Sequence, residues 1–283
     1  MSAVSTTRLP RLSRTFTSLL AAWDRTGEQT AFYARTLGST GDALTQYRGE
    51  TLRLIAQMGL GSGALAILGG AVGIVAFLTI SAGSVIAIQG FNSLSGIGVE
   101  ALTGFLSAYF NGRVVIPLAA VIGLAATIGA GATAQLGAMR ISEEIDALES
   151  MAIRSVAYLA ATRVVAGVIV VIPLYCVALL MSFAATKWST TFVYGQSTGV
   201  YDHYFNTFLS PVDVLYSLLQ AVVMGLIVML VHTYYGYTAS GGPAGVGEAV
   251  GRAVRTSLIV AVFVTLFMAL ALYGRSGNFN LAG

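Results

Sequence analysis

Residues 114–139 read VVIPLAAVIGLAATIGAGATAQLGAM, and residues 140–151 continue RISEEIDALESM. The first stretch is 26 residues without a charge, and about 20 apolar residues cross the hydrocarbon of a bilayer as a helix. The second places Glu143, Glu144, Asp146 and Glu149 within seven positions directly after it. An apolar run that stops abruptly in carboxylates marks where a span leaves lipid for water. Only 10% of the 283 residues are charged, against about a quarter in ordinary soluble domains. The 33 glycines suit close helix packing in lipid.

Working outward, 46 uncharged residues separate Arg53 from Glu100. At about 1.5 Å each they would make roughly 70 Å of helix, too long for one crossing. Breaks are expected at Gly59, Gly61 and Gly63 and again at Gly90, Gly96 and Gly98, leaving one span near 64–88. Residues 101–112 end in Asn111-Gly112-Arg113 and read as a short helix on the outer surface leading into span two. Pro117 falls near the start of that span, where a missing N–H is tolerated. Span three is predicted over 157–186 with a kink at Pro173, span four over 213–235 and span five over 254–274. The fold expected is an all-α polytopic membrane protein with five transmembrane helices, divided into an N-terminal region 1–60 and a membrane domain 61–283.

With the N-terminus inside, twelve arginines (Arg8, Arg11, Arg14, Arg25, Arg35, Arg48, Arg53, Arg140, Arg154, Arg163, Arg252, Arg255) face the cytoplasm and three basic residues (Arg113, Lys187, Arg275) face outward. That bias orients the chain under the positive-inside rule, with the C-terminus outside. Within 1–60, Leu9, Leu12, Phe16, Leu19, Leu20 and Trp23 share helical spacing, as do Leu44, Tyr47, Leu54, Ile55 and Met58. Both sets read as amphipathic helices in the inner-leaflet interface, separated at Gly38 and Gly41, or as cytosolic helices packed on a partner. No cleavage pattern follows the first.

Several chemistries are excluded or disfavoured. Cys176 is the only cysteine, and His203 and His232 lie 29 positions apart, so no disulfide framework and no H-E-x-x-H metal helix is expected. Lys187 is the only lysine and does not follow glycine, so the chain carries no P-loop. If ATP drives the protein, another subunit binds it. The charge-free runs contain no carboxylate for a proton relay; Arg163 is expected to snorkel to the interface, and His232 to be an interfacial histidine bonded to a neighbouring helix. Gly195-Gln196-Ser197-Thr198-Gly199 matches G-x-S-x-G, with Asp202 and His203 close behind. It lies in an outer loop rather than on a strand-to-helix turn, and adjacent Asp and His cannot easily line up behind one serine.

The acidic segment remains. Ser142 suits a helix cap, and Glu143 and Glu144 in the first turn suit the helix dipole. Ile141, Ile145, Leu148 and Ala152 form a ridge between carboxylates. Such a rod either inserts into a basic groove on a partner or packs its ridge on the ends of the bundle.

The segment Gly129-Ala130-Gly131-Ala132-Thr133-Ala134-Gln135-Leu136-Gly137-Ala138-Met139-Arg140-Ile141-Ser142-Glu143-Glu144-Ile145-Asp146-Ala147-Leu148-Glu149-Ser150-Met151 resembles the signature of MlaE/YrbE permeases. A second matching block runs from Tyr234-Tyr235-Gly236-Tyr237 through Gly241-Gly242-Pro243 to Gly251-Arg252-Ala253-Val254. The resemblance covers roughly 50–274, and the arginine-containing N-terminus is similar to mycobacterial B-type YrbE subunits. It implies an inner-membrane permease subunit that pairs with a second YrbE-like permease and works with ABC ATPase subunits and periplasmic MCE-domain proteins. ATP and Mg would sit on the ATPase, with no metal, catalytic residue or nucleic acid on this chain. Ser142, Glu143, Glu144, Ile145, Asp146, Ala147, Leu148 and Glu149 would form the coupling helix docked into the ATPase. The cargo implied is membrane lipid, such as fatty or mycolic acids, imported through an apolar cavity between the two permeases. Phe77, Ile80, Val85 and Gln89 are the candidates for its lining. Relatives carry Arg or another polar residue near Ile128–Gly129 and Glu where this chain has Gln135, a departure compatible with an asymmetric pair. A scaffold that anchors MCE proteins and a passive lipid scramblase are the rival readings.

Overall fold

The computed structural model describes residues 26–60 and 70–273. The amphipathic helix expected over Leu9–Trp23 and residues 64–69 of the first predicted span lie outside them. Helix α1 covers 26–38, followed by α2 (Thr40–Thr45) and α3 (Arg48–Leu60). Then come α4 (Ala71–Ser95), α5 (Glu100–Ile141), α6 (Glu144–Ser150), α7 (Val156–Val193), α8 (Thr198–Phe208), α9 (Pro211–Tyr237) and α10 (Gly242–Tyr273). Helices α4, α5, α7, α9 and α10 are long and apolar enough to cross a membrane, and the described residues contain no strand. The protein is an all-α polytopic membrane protein.

The spans differ from the sequence reading mainly at their ends. Gly90 does not stop α4. It lies inside the helix and packs against Leu106, because a buried glycine here admits a neighbour rather than breaking the chain. The helix ends at Ser95, and the turn to α5 uses Gly98 at φ 75°, backbone that glycine adopts without a Cβ penalty. The short surface helix expected at 101–112 is instead continuous with α5. Its wide π-type turn over Ser107–Val115 buries Asn111. Pro117, which has no N–H for the preceding turn, follows directly. Helix α7 passes Pro173 without interruption and takes up wider turns at its two ends, over Val156–Ala161 and Ser189–Val193. Helix α10 begins twelve positions before the predicted span, since the turn Gly241 (φ 89°)–Gly242 (φ 70°) starts it at once.

Apolar side chains of α4, α5, α7 and α9 build one core, with Val75, Leu124, Val171, Leu174, Met224 and Met229 at its centre. Helix α4 packs most extensively on α7. Its buried face is Val75, Thr79, Gly83, Ala87 and Gly90, a stripe of mostly small residues. A Cβ at Gly83 would run into the Ser182 carbonyl of α7, so the two backbones meet only because that position is glycine. One cluster of polar groups in this core bonds internally. Asn111 donates to Thr186 (3.3 Å) and accepts from Ser182 (2.8 Å), while Thr186 donates to the Gly83 carbonyl (3.0 Å).

His232 is fully buried rather than interfacial. Its Nδ1 lies 2.8 Å from Thr133 Oγ1 on α5 and its Nε2 3.2 Å from Ser257 Oγ on α10. One ring thus ties three helices, as an unpaired imidazole in apolar surroundings would be costly. Arg163 does not snorkel out. It is 4% exposed and its Nη1 donates to the Leu159 carbonyl (2.9 Å), because α3 packs on this stretch of α7. The ridge of α3 is likewise used internally: Leu54 is buried and Ile55 and Met58 pack on the core. Tyr47 meets Tyr158 edge to face at 5.2 Å. Helix α1, which the sequence reading missed, sets Phe32 against Tyr234 and Tyr237 at the end of α9.

The closeness of α5 and α9 generates a test. A Cβ on Gly129 would lie 2.7 Å from the His232 ring. Gly129→Ala should destabilise the chain by about 1–3 kcal/mol, the usual cost of overpacking, read as a lower unfolding temperature in detergent. In a His232→Ala background the same substitution should cost much less, since the clashing ring is gone.

Candidate functional site

The end of α5, the start of α7 and the end of α9 meet around α6. The chain leaves α5 through Ser142 and Glu143, whose φ of 61° is left-handed, and leaves α6 through Ala152 at φ 59°. Ser142 does not cap α6. Its hydroxyl donates back to the Ala138 carbonyl (3.0 Å) and to Glu144 Oε1 (3.0 Å). It finishes α5, and Glu143 takes the cap position instead. Glu144 and Asp146 occupy the first turn of α6, where the helix dipole favours carboxylates.

The apolar ridge points inward. Ile145 is 0% exposed and packs with Leu136 and Leu159, flanked by Met139, Leu148, Tyr158 and Tyr237. Ile141 and Ala152, the other two ridge positions, are exposed, because the left-handed residues at both ends of α6 rotate them off the helix face. What α6 presents to solvent is Glu143, Glu144, Asp146, Ala147, Glu149 and Ser150, with Met151 beside them. Ile145 fixes the rod to its own bundle and leaves the carboxylates outside.

Polar contacts orient the rod further. Arg140 pairs with Asp146 at 2.7 Å. Glu149 Oε1 accepts from Ser155 Oγ (2.6 Å) and from Tyr237 OH (3.0 Å), and those two hydroxyls lie 2.7 Å apart. This triangle joins α6 to the start of α7 and the end of α9. The Ser155 hydroxyl, and then that of Tyr237, hold the Glu149 carboxyl below its ordinary value of 4.5. Arg154 reaches Asp42 (2.8 Å) and Gln46 (3.0 Å), tying α2 to the same platform. Neither link was legible in the sequence, since their partners are 88 and about a hundred positions away.

The candidate lipid-path residues stand elsewhere. Phe77 (72% exposed), Ile80, Val85 and Gln89 lie on the open side of α4, opposite its packing face. A cavity of about 210 Å³ lies instead between α3, the start of α4 and α5, where Gln57 and Gln135 share a wall with Leu54, Met58 and Ile128. At the end of the bundle away from α6, the G-x-S-x-G stretch leads into α8. Ser197 immediately precedes that helix, and Asp202 is engaged by Lys187 at 2.8 Å, so no Ser–His–Asp relay forms there.

Comparison with known proteins fits this architecture. A family model described as permease MlaE matches residues 61–271. A probable ABC transporter permease protein of Rickettsia bellii is 28% identical over 196 residues, covering 66% of this chain and 72% of its own. The chloroplastic protein TRIGALACTOSYLDIACYLGLYCEROL 1 of Arabidopsis thaliana is 26% identical over 186 residues, covering 66% of this chain and 53% of that one. A probable ABC transporter permease protein of Synechocystis is 26% identical over 144 residues, with 51% of this chain and 55% of its own covered. Because the family match takes in the α6 platform together with the long apolar helices around it, the chain belongs to the MlaE permease family and is an ABC transporter permease, a transport component of the membrane rather than a catalytic enzyme.

Proposed function

We propose that this chain is half of the membrane core of an ATP-driven lipid transporter, and that α6 is the element its ATPase partner grips. One observation carries the reading: α6 is bolted to the bundle by a fully buried Ile145 while its carboxylates face outward. A rod so mounted transmits a push instead of absorbing it. The Glu149–Ser155–Tyr237 triangle passes that push to α7 and α9. Ser142 to Glu149 form the docking segment, offering a basic groove four carboxylates.

The α6 end also carries Arg35, Arg48, Arg53, Arg140, Arg154, Arg252 and Arg255, and the opposite end Arg113 and Lys187. This asymmetry supports an inner-membrane orientation with α6 in the cytosol and the C-terminus outside. ATP and Mg belong to the partner subunit, which supplies the energy. A second YrbE-like permease completes the core, and MCE-domain proteins deliver substrate from the far side. Phe77, Ile80, Val85 and Gln89, exposed in the single chain, face the apolar cavity between the two permeases. The cargo is a long-chain lipid such as a fatty or mycolic acid, moving inward; one relative bears the name of a galactolipid.

The reading is tested by Glu143→Lys with Glu144→Lys. Both side chains are exposed, and reversing two charges at the start of α6 against its dipole should cost folding about 1–2 kcal/mol. The ATPase should no longer co-purify from native membranes, or lipid-stimulated hydrolysis should be lost. An unaffected assembly with full transport would sink the proposal, and carriers without any ATPase would favour the scaffold. Glu143→Gly supplies a graded control, removing one carboxylate while relieving the left-handed strain of about 1 kcal/mol.

The protonation of Glu149 gives a second test. Its folded-state pKa is depressed, so its contribution is complete above its ordinary value of 4.5 and fades as pH falls through the lower folded value. Amide exchange in α6, corrected for intrinsic rates, should therefore accelerate on acidification below about 4.5. In Glu149→Gln that acceleration should be absent.

A further inference from the structure

The end of the bundle away from α6 holds a groove that the coupling mechanism leaves unused. It lies between α7 and α8 and encloses about 420 Å³. Leu180, Phe183 and Ala184 of α7 and Tyr201 and Phe205 of α8 form its mainly apolar lining, and Lys187, Asp202 and Asn206 its polar lining. Phe183 and Phe205 meet edge to face at 5.0 Å and form the floor. From Leu180 to Lys187 is two turns, about 10 Å at 1.5 Å per residue. The groove thus grades from hydrocarbon-like to ionic over the distance that separates an acyl chain from its headgroup.

Its position along the membrane normal is marked independently. Trp188 and Phe192 stack at 5.1 Å beside it and are both exposed. Tryptophan rings such as that of Trp188 gather where hydrocarbon meets the headgroup layer. The polar lining therefore sits at headgroup depth and the aromatic floor lies below it.

The charges choose the headgroup. Lys187 Nζ lies 2.8 Å from Asp202 Oδ1, with the two side chains 44% and 38% exposed. An open pair of this kind is worth little by itself, so it can admit a ligand of matching polarity at small cost. We propose that this groove binds one zwitterionic phospholipid with a primary ammonium headgroup, of the phosphatidylethanolamine type. The phosphate accepts from Lys187 and Asn206, and the headgroup ammonium donates to Asp202, giving alternating charges around a ring. A phosphatidylcholine headgroup has no N–H to donate to Asp202. A phosphatidylglycerol headgroup leaves Asp202 facing net negative charge. The first methylenes of one acyl chain lie on Leu180, Phe183 and Phe205.

The site rests on the membrane-spanning reading of α7 and not on the coupling role of α6, and its test contains no nucleotide. The full chain, purified with whatever subunits accompany it, is equilibrated with equal amounts of phosphatidylethanolamine, phosphatidylcholine and phosphatidylglycerol of identical acyl chains. Retained lipid is then counted by native mass spectrometry. One phosphatidylethanolamine per chain should be held in about tenfold preference, the size of one charge-assisted hydrogen bond. Lys187→Ala and Asp202→Ala should each erase that preference. The exchanged pair, Lys187→Asp with Asp202→Lys, should restore it, which a folding defect would not do. No preference in the unaltered chain, a preference for phosphatidylglycerol, survival of the preference in both alanine variants, or failure of the exchanged pair to restore it would overturn the assignment.

Discussion

Inside a bilayer no water is available to satisfy a polar group, and this constraint shapes the molecule from its backbone outward. The chain answers it with helices that close their own hydrogen bonds and, at two clusters, with side chains that bond across helices. Asn111, Ser182 and Thr186 bond in a chain that ends on the Gly83 carbonyl. His232 takes Thr133 on one side and Ser257 on the other. Both clusters demand helices close enough for short side chains to reach. The glycine at position 83 and the one at 129 supply that closeness. Small residues and polar links are therefore two halves of one solution, because lipid gives the helices no hydrophobic reason to associate.

The ends of the bundle obey a different rule. At the α6 end, water is present, and the rod needs an apolar anchor and polar guides at once. Ile145 supplies the first and the Glu149–Ser155–Tyr237 triangle the second. Neighbouring links through Arg140 and Arg154 connect α5 and α2 to the same platform. At the other end, Lys187 and Asp202 stand open at the rim of an aromatic groove, and Arg113 pairs with Asp213. One end gathers carboxylates around an apolar anchor, the other sets ion pairs beside aromatic rings.

Much of this was legible in residue order. Five crossings, the all-helical class and the acidic rod followed from charge-free runs and the cluster after Met139, because desolvating a charge is so costly that its absence maps the membrane directly. The span ends were not legible. Gly90 and Gly242 look alike in sequence, yet one packs inside a helix and the other begins one. A glycine permits either outcome, and its neighbours in space decide. The direction of the Ile145 ridge was equally open, since spacing defines a face but not what covers it. Arg163 and His232 were placed at the interface, and packing by α3 and by α5 with α10 buried them.

Residue order alone thus determined how often the chain crosses the membrane, that it has no nucleotide loop of its own, and where its carboxylates gather, because these depend on local transfer energies. The tertiary structure decided what those features are attached to. The inward turn of Ile145, the grip of Tyr237 on Glu149, the link from Arg154 to Asp42 and the aromatic groove under Lys187 all join residues distant in sequence. Short-range forces fix such contacts only after the helices have met, so no local pattern encodes them.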